Sequence, residues 1–352
     1  MKYIIDIPKH LLDETRKILA KGEYSNMNDL IITALENQII LEEGDKIQED
    51  LLSTAVKVTK SVHGKAYEKK EQQDFSKWIS LKSFNNIKTF PIPEIKELEY
   101  PNTKYKDLWL WGQINRIFSI KLGLRILGNM QQENGDFILL RDFLKKAGEI
   151  ARGFGWQLER IDNQLKRKRD ERVSTALPIG ENEEKAVLRY ITHFLANKRT
   201  DNLLDGAMAR LKFVNIQKLD ERGDLIGLTD EGLEFTKLKN PILDENLYSK
   251  KTLSEGEMDF YLRHIINNVP EELNPFSHIL EIIKNGANSV TEIDKEIKKI
   301  KQKWTDIVIT TQRSGALGRM NELGLLDKEK KGIKVIYKVS DKGENFLNKI
   351  KN

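Results

Sequence analysis

Residues 315–347 read GALGRMNELGLLDKEKKGIKVIYKVSDKGENFL, and residues 206–235 read GAMARLKFVNIQKLDERGDLIGLTDEGLEF. Both open on Gly-Ala with an arginine four residues on, Arg210 in one and Arg319 in the other. Both leave through an apolar run and pass a charged tip with glycine, Gly223 or Gly332. Both then give a short strand, an Asp-x-Gly turn (Asp230–Gly232, Asp341–Gly343) and a last helix carrying Phe235 or Phe346. The self-similarity defines two related units, 106–240 and 250–352.

Outward from the second copy, FSHILEIIKNG (276–286) has helical periodicity and a glycine stop at Gly286. SVTEIDKEIKKIKQK (289–303) follows, with Ser289 and Glu292 spaced as a capping box. A third helix runs through TTQRSGALGRMNELGLL (310–326), and a basic hairpin comes after it. Helix, turn, helix, longer helix and hairpin resembles the winged-helix variant of helix-turn-helix. That resemblance implies a third helix in the major groove and a hairpin, or wing, against the phosphate backbone. Thr310, Thr311, Gln312, Arg313 and Arg319 lie on or just before the candidate recognition helix. They are residue types that bond bases and phosphates. The wing carries Lys330, Lys331 and Lys334, with Lys328 and Lys338 beside them. Residues 291–352 hold fifteen basic side chains to nine acidic, so positive charge concentrates at this end. A winged helix can also serve as a protein-interaction module, and that reading stays open.

The first copy is less basic at its hairpin tip, LDERGD (219–224). Its strongest run is LKRKRDERV (165–173), with Lys166, Arg167, Lys168, Arg169 and Arg172 at a helix end or its exit. Such a run tracks phosphates or is a solvated turn.

At the amino terminus, KYIIDIP (2–8) alternates like one short strand ending at Pro8. KHLLDETRKILAKG (9–22) and EYSNMNDLIITALENQIILEE (23–43) read as two helices, the second capped by Ser25 or Asn26. One strand and two helices cannot bury a core alone, and the strand leaves both edges unpaired. The pattern therefore predicts a homodimer through that strand. The element order, Ile7–Pro8, Gly22 and Tyr24–Ser25 resemble the ribbon–helix–helix (Arc/MetJ-like) family over residues 1–45. By that resemblance Lys2, Ile4 and Asp6 would face the bases, and Ser25, Asn26 and Asn28 would clamp a phosphate. Residues 1–50 hold six basic side chains against eleven acidic. The module is thus either a base reader or a dimer clasp that never touches DNA.

Residues 46–105 read as a helical and proline-containing linker, broken by Pro91, Pro93 and Pro101, or as an arm wrapping the next domain. The whole is expected to be mainly α with short β elements: a ribbon–helix–helix module followed by two winged-helix units.

The chain has 352 residues, 39% hydrophobic and 32% charged, with net charge +5, and no apolar run long enough to span a bilayer. The start MKYIIDIPKH lacks a signal-peptide pattern, so a cytoplasmic location without membrane attachment is expected. With no cysteine, disulfides, thiolate metal sites and cysteine nucleophiles are excluded. His10, His63, His193, His264 and His278 have no metal-ligand spacing, and no phosphate-cradling loop or nucleophile elbow occurs. Trp109 and Trp111 suit core packing or inter-domain docking. The expected function is therefore non-enzymatic, with no cofactor. It is a homodimeric, sequence-specific transcriptional regulator on double-stranded DNA. Two alternatives remain: a DNA-binding adaptor or structural subunit recruiting a nuclease, partition or chromosome-organising machine, and a winged-helix scaffold for a protein partner.

Overall fold

The computed structural model describes Thr15 and residues 74–93, 109–168, 171–180, 182–198, 203–220, 223–248, 251–331 and 334–351. The chain divides into two compact units, Met1–Lys57 and Val58–Asn352, and every element below belongs to the second. Lys2, Ile4, Asp6, Ser25, Asn26, Asn28 and Arg169 lie outside the described residues.

The described residues are mainly helical with short antiparallel strands. In chain order they form α1 (Ser76–Ile79), α2 (Phe118–Asn134), β1 (Ile138–Leu139), α3 (Leu140–Gln164) and α4 (Glu183–Phe194). Next come β2 (Asn197–Lys198), β3 (Leu204–Asp205), α5 (Ala207–Arg210), β4 (Val214–Asp220), β5 (Gly223–Leu228), α6 (Asp230–Lys237) and α7 (Pro241–Glu245). The carboxy-terminal part holds α8 (Glu255–Asn268), α9 (Pro270–Lys284), α10 (Val290–Ile300), α11 (Asp306–Glu322), β6 (Leu326–Lys331), β7 (Lys334–Val339) and α12 (Asp341–Lys351).

The centre is α2, buried at every residue from Phe118 to Gln131. A helix buried on all sides must find partners for any polar group it carries. Lys121, Arg125 and Asn129, four apart, form one polar stripe that bonds main-chain carbonyls. Lys121 reaches Phe235 and Leu238 at the end of α6, and Asn129 reaches Trp78 and Ser80. Arg125 reaches Ile79 and Leu238 and pairs with Asp244 at 2.6 Å. Lys121 also pairs with the buried Glu257 at 3.0 Å, which accepts in turn from Asn240 and the Ser254 amide.

The duplication read in the sequence has structural counterparts. In the first copy β1 lies on the hairpin β4–β5 with Ile138 opposite Ile226; in the second, Ser289 makes a single bridge to Ile336. The Thr229 amide bonds the Phe213 carbonyl and the Ser340 amide bonds the Leu325 carbonyl, both at the entry to the last helix. The glycine of each Asp-x-Gly lies in the first turn of that helix because the same carbonyl crowds it. A Cβ on Gly232 would stand 1.8 Å from the Phe213 oxygen, and one on Gly343 would stand 2.4 Å from that of Leu325. One apolar core runs from Ile79 to Leu347 through both copies.

One expectation needs correction. The first copy has no long helix before its hairpin: α5 is four residues, all buried, and starts abruptly at Gly206 (φ 82°). Gly206 itself backs onto the Leu195 carbonyl, where a Cβ would sit at 2.4 Å. Of the two readings of the linker, residues 84–93 follow the arm that wraps the next domain: Phe84 is buried, and Phe90 stacks on Phe137 with ring centroids 3.7 Å apart. The Phe90 amide also bonds the Leu228 carbonyl.

Burial pushes the Lys121 pKa down from 10.5 to about 8, against the pull of Glu257. Between these values the folded state has released a proton that the unfolded chain keeps, so stability on this group rises with pH through that window. Buried Tyr190 and Tyr261 have raised pKa values and reverse the trend once unfolded tyrosines ionise. Urea denaturation of the wild type should therefore give a stability that climbs from pH 8 towards pH 10. Lys121→Met should lack that climb.

Candidate nucleic-acid interface

The residues singled out in the second copy fall on α10, α11 and the hairpin β6–β7. Helix α10 starts from a complete capping box between Ser289 and Glu292 and turns Ile293 and Ile297 into the core. Its other faces carry Lys295, Lys298 and Lys299, and the connection to α11 adds Lys301 and Lys303. Lys295, Lys299 and Lys303 are exposed. Lys301 lies over the rings of Trp109 and Trp304, at 5.7 and 5.5 Å. Thr305 then caps α11 by accepting from the Val308 amide.

Helix α11 is covered on two sides. Ile309, Ala316 and Met320 enter the core. The second side, Gln312, Gly315 and Arg319, lies under the segment 109–117 that leads into α2. Gly112 and Gly315 meet backbone to backbone, for a Cβ on Gly315 would stand 2.2 Å from the Gly112 oxygen. Trp109 anchors the segment edge-on against Trp304 at 5.2 Å, in keeping with the packing role expected for it. Glu322, in the last turn of α11, accepts from the Ile117 and Phe118 amides at 2.5 and 3.2 Å and so caps α2. What remains in solvent is a narrow stripe, with Thr310 and Ser314 exposed and Ile307, Thr311 and Asn321 partly so.

The predicted contact residues separate accordingly. Thr310 is on the free stripe and Thr311 at its margin. Gln312, 3% exposed, faces inward and is not available to a duplex. Arg319 is likewise no base reader. Fully buried, it makes a two-pronged pair with Glu272 at 2.6 and 2.7 Å and donates to the Ile114 carbonyl. Burial alone would lower the pKa of Arg319, but Glu272 reverses this and leaves it raised. Arg313 is held by Asp294 of α10 at 2.8 and 3.0 Å, at the margin of the stripe.

On the hairpin, Lys330 is paired in the ladder with Val335 and Lys331 with Lys334. Lys338 is exposed and bridges to Glu329 at 2.9 Å. In the first copy, Lys166 and Lys168 are exposed just beyond the end of α3, as read. Arg167 departs from that reading: it is buried and pairs with Asp162 at 2.9 Å, closing the turn instead of tracking a phosphate. Arg210, the counterpart of Arg319, is buried against Glu271 at 2.8 Å. The two repeated arginines thus engage adjacent glutamates of α9.

Sequence reading missed the lysines 295–303 as a set. The signal was present in KEIKKIKQK, where Ile293 and Ile297 fix the buried side and leave the intervening lysines outside. Among the described residues no helix is long and apolar enough to cross a membrane. Comparisons with protein-family models, curated proteins and solved structures find no match.

Removing one member of a buried, two-pronged ion pair costs about 3–5 kcal/mol. Arg319→Met should lose stability of that order in urea titration, and Arg319→Met with Glu272→Met should recover a substantial part.

Proposed function

We propose that the chain is a homodimeric, double-stranded-DNA-binding transcriptional regulator. In this reading residues 1–45 form a ribbon–helix–helix clasp and the two repeats are winged-helix units, of which the second meets DNA. The supporting observation is the array of exposed Lys295, Lys299 and Lys303 beside the one stripe of α11 left in solvent. The order α9, bridge, α10, α11, β6–β7 agrees with the winged-helix pattern. Lysines on the middle helix and turn hold phosphates while the third helix enters the groove. Thr310, Thr311 and Ser314 supply short hydroxyls for base edges, and Arg313 is available if Asp294 releases it.

The first repeat is then a scaffold, since its short α5 is buried where a reading helix would need to be exposed. Lys166 and Lys168 can add backbone contact but no base readout. A second reading, a non-enzymatic DNA-binding adaptor with little sequence preference, is favoured by the lack of a long side chain on the free stripe. The two differ in specificity. A regulator prefers its own site by roughly 10³ or more over scrambled duplex, whereas an adaptor binds all duplexes alike.

Each phosphate contact contributes about 0.9 to the slope of log affinity against log salt. Replacing Lys295, Lys299 and Lys303 together by alanine should reduce that slope by about 2–3 in fluorescence anisotropy. An unchanged slope would remove the array from the interface. Separately, a chain lacking residues 1–45 should sediment as a monomer at low micromolar concentration where the full chain sediments as a dimer. A dimeric truncated chain would move the clasp elsewhere.

A further inference from the structure

Asp294 of α10 and Arg313 of α11 meet in a way that leaves one part of the guanidinium unused. Arg313 donates from Nε to Oδ1 of Asp294 at 2.8 Å and from Nη2 to Oδ2 at 3.0 Å. A guanidinium carries five N–H donors in one rigid plane. The carboxylate takes the Nε hydrogen and the Nη2 hydrogen parallel to it. The second Nη2 hydrogen and one from Nη1 run parallel to each other at the far end of the group. Among the described residues nothing accepts from Nη1, and Nη1 is not one of the buried atoms without a partner, so it reaches solvent. Arg319, six residues on, is the contrast. Glu272 takes its Nε and Nη2 in the same two-pronged manner, but the Ile114 carbonyl takes its Nη1, so each of its nitrogens has an acceptor.

Arg313 adjoins Thr310 and Ser314, which are exposed on the same side of α11. Two parallel N–H donors match the O6 and N7 acceptors that guanine presents side by side in the major groove. We infer that Arg313 reads one guanine with the free end of its guanidinium, and that Asp294 is the positioning residue that aims it. The inference rests on the DNA-binding reading above and deepens it by naming a base. Contact through the Nε edge would need Asp294 to release it; contact through the far end does not. The carboxylate fixes the plane and direction of a long side chain, so less ordering is left to the moment of binding. It also offsets the charge of Arg313, so the pair adds little attraction for phosphate. Its effect therefore falls on sequence preference more than on overall affinity.

The test starts with selection of duplexes by the full chain from a randomised pool, followed by fluorescence anisotropy on the selected duplex. The expected site contains a G·C pair whose replacement by A·T weakens binding about tenfold or more. Replacing that guanine by 7-deazaguanine, which pairs normally but lacks the N7 acceptor, should weaken it about fivefold or more. Arg313→Ala should remove both penalties. Arg313→Lys keeps the charge without the two-pronged edge, and should lose the guanine preference while keeping the salt dependence. Asp294→Asn should shrink both penalties about twofold or more, with scrambled duplex bound as well as before or better. A brace that only supports the fold would instead weaken all binding alike, and circular dichroism of each variant checks folding. Selection of no G·C pair, indifference of the wild type to 7-deazaguanine, or penalties that survive both Arg313 variants would overturn the inference while DNA binding stands. Undiminished penalties in Asp294→Asn would overturn the role of Asp294. Absence of binding to any duplex at low salt would overturn the DNA-binding reading, and this inference with it.

Discussion

The pairing of Arg319 with Glu272 fixes how α11 is seated in the carboxy-terminal repeat. A guanidinium in the core is tolerable only if its donors are satisfied, and the two carboxylate oxygens with the Ile114 carbonyl supply the partners. One side chain thereby joins α11, α9 and the segment ahead of α2. Glu322, one turn on, extends the same junction by satisfying the unpaired amides that open α2. The solvent-facing stripe of α11 is narrow because this junction occupies the adjoining side of the helix.

Polar groups inside the rest of the core follow the same logic. The stripe of Lys121, Arg125 and Asn129 ties the buried part of α2 to the carbonyls that end α6 and to residues 78–80 at the end of α1. Such bonds need a specific geometry, so they select one arrangement where apolar contacts alone would accept several. The two repeats are consequently halves of one core and differ in duty: the first is braced, and the second presents exposed lysine and hydroxyl groups.

Local features were legible because they depend on neighbours in sequence. The Ser289–Glu292 capping box, the stop near Gly286, the hairpins and the paired Asp-x-Gly positions all stand where their spacing placed them. The fate of individual charges was not legible. Arg313 and Arg319 sit six apart on one helix, yet one lies at the margin of solvent and the other is sealed in the core. Six positions turn the helix by about 240°, so periodicity puts them on different faces, but that one of those faces is covered by the segment some two hundred residues earlier is not local information. The same holds for Gln312. The lysines 295–303 are legible in the sequence itself, because Ile293 and Ile297 fix the buried side of α10 and leave Lys295 and Lys299 outside.

The distance along the chain between Ile117 and Glu322, 205 residues, has a consequence for how the protein is made. The amides that open the central helix leave the ribosome long before the carboxylate that satisfies them exists. Until the last turn of α11 is synthesised, the first repeat holds an uncapped helix and an uncovered segment at 109–117. Contacts of such high sequence separation slow folding and leave apolar surface exposed meanwhile. This junction thus forms only once Glu322 has been made, so a product ended before it would lack the cap on α2.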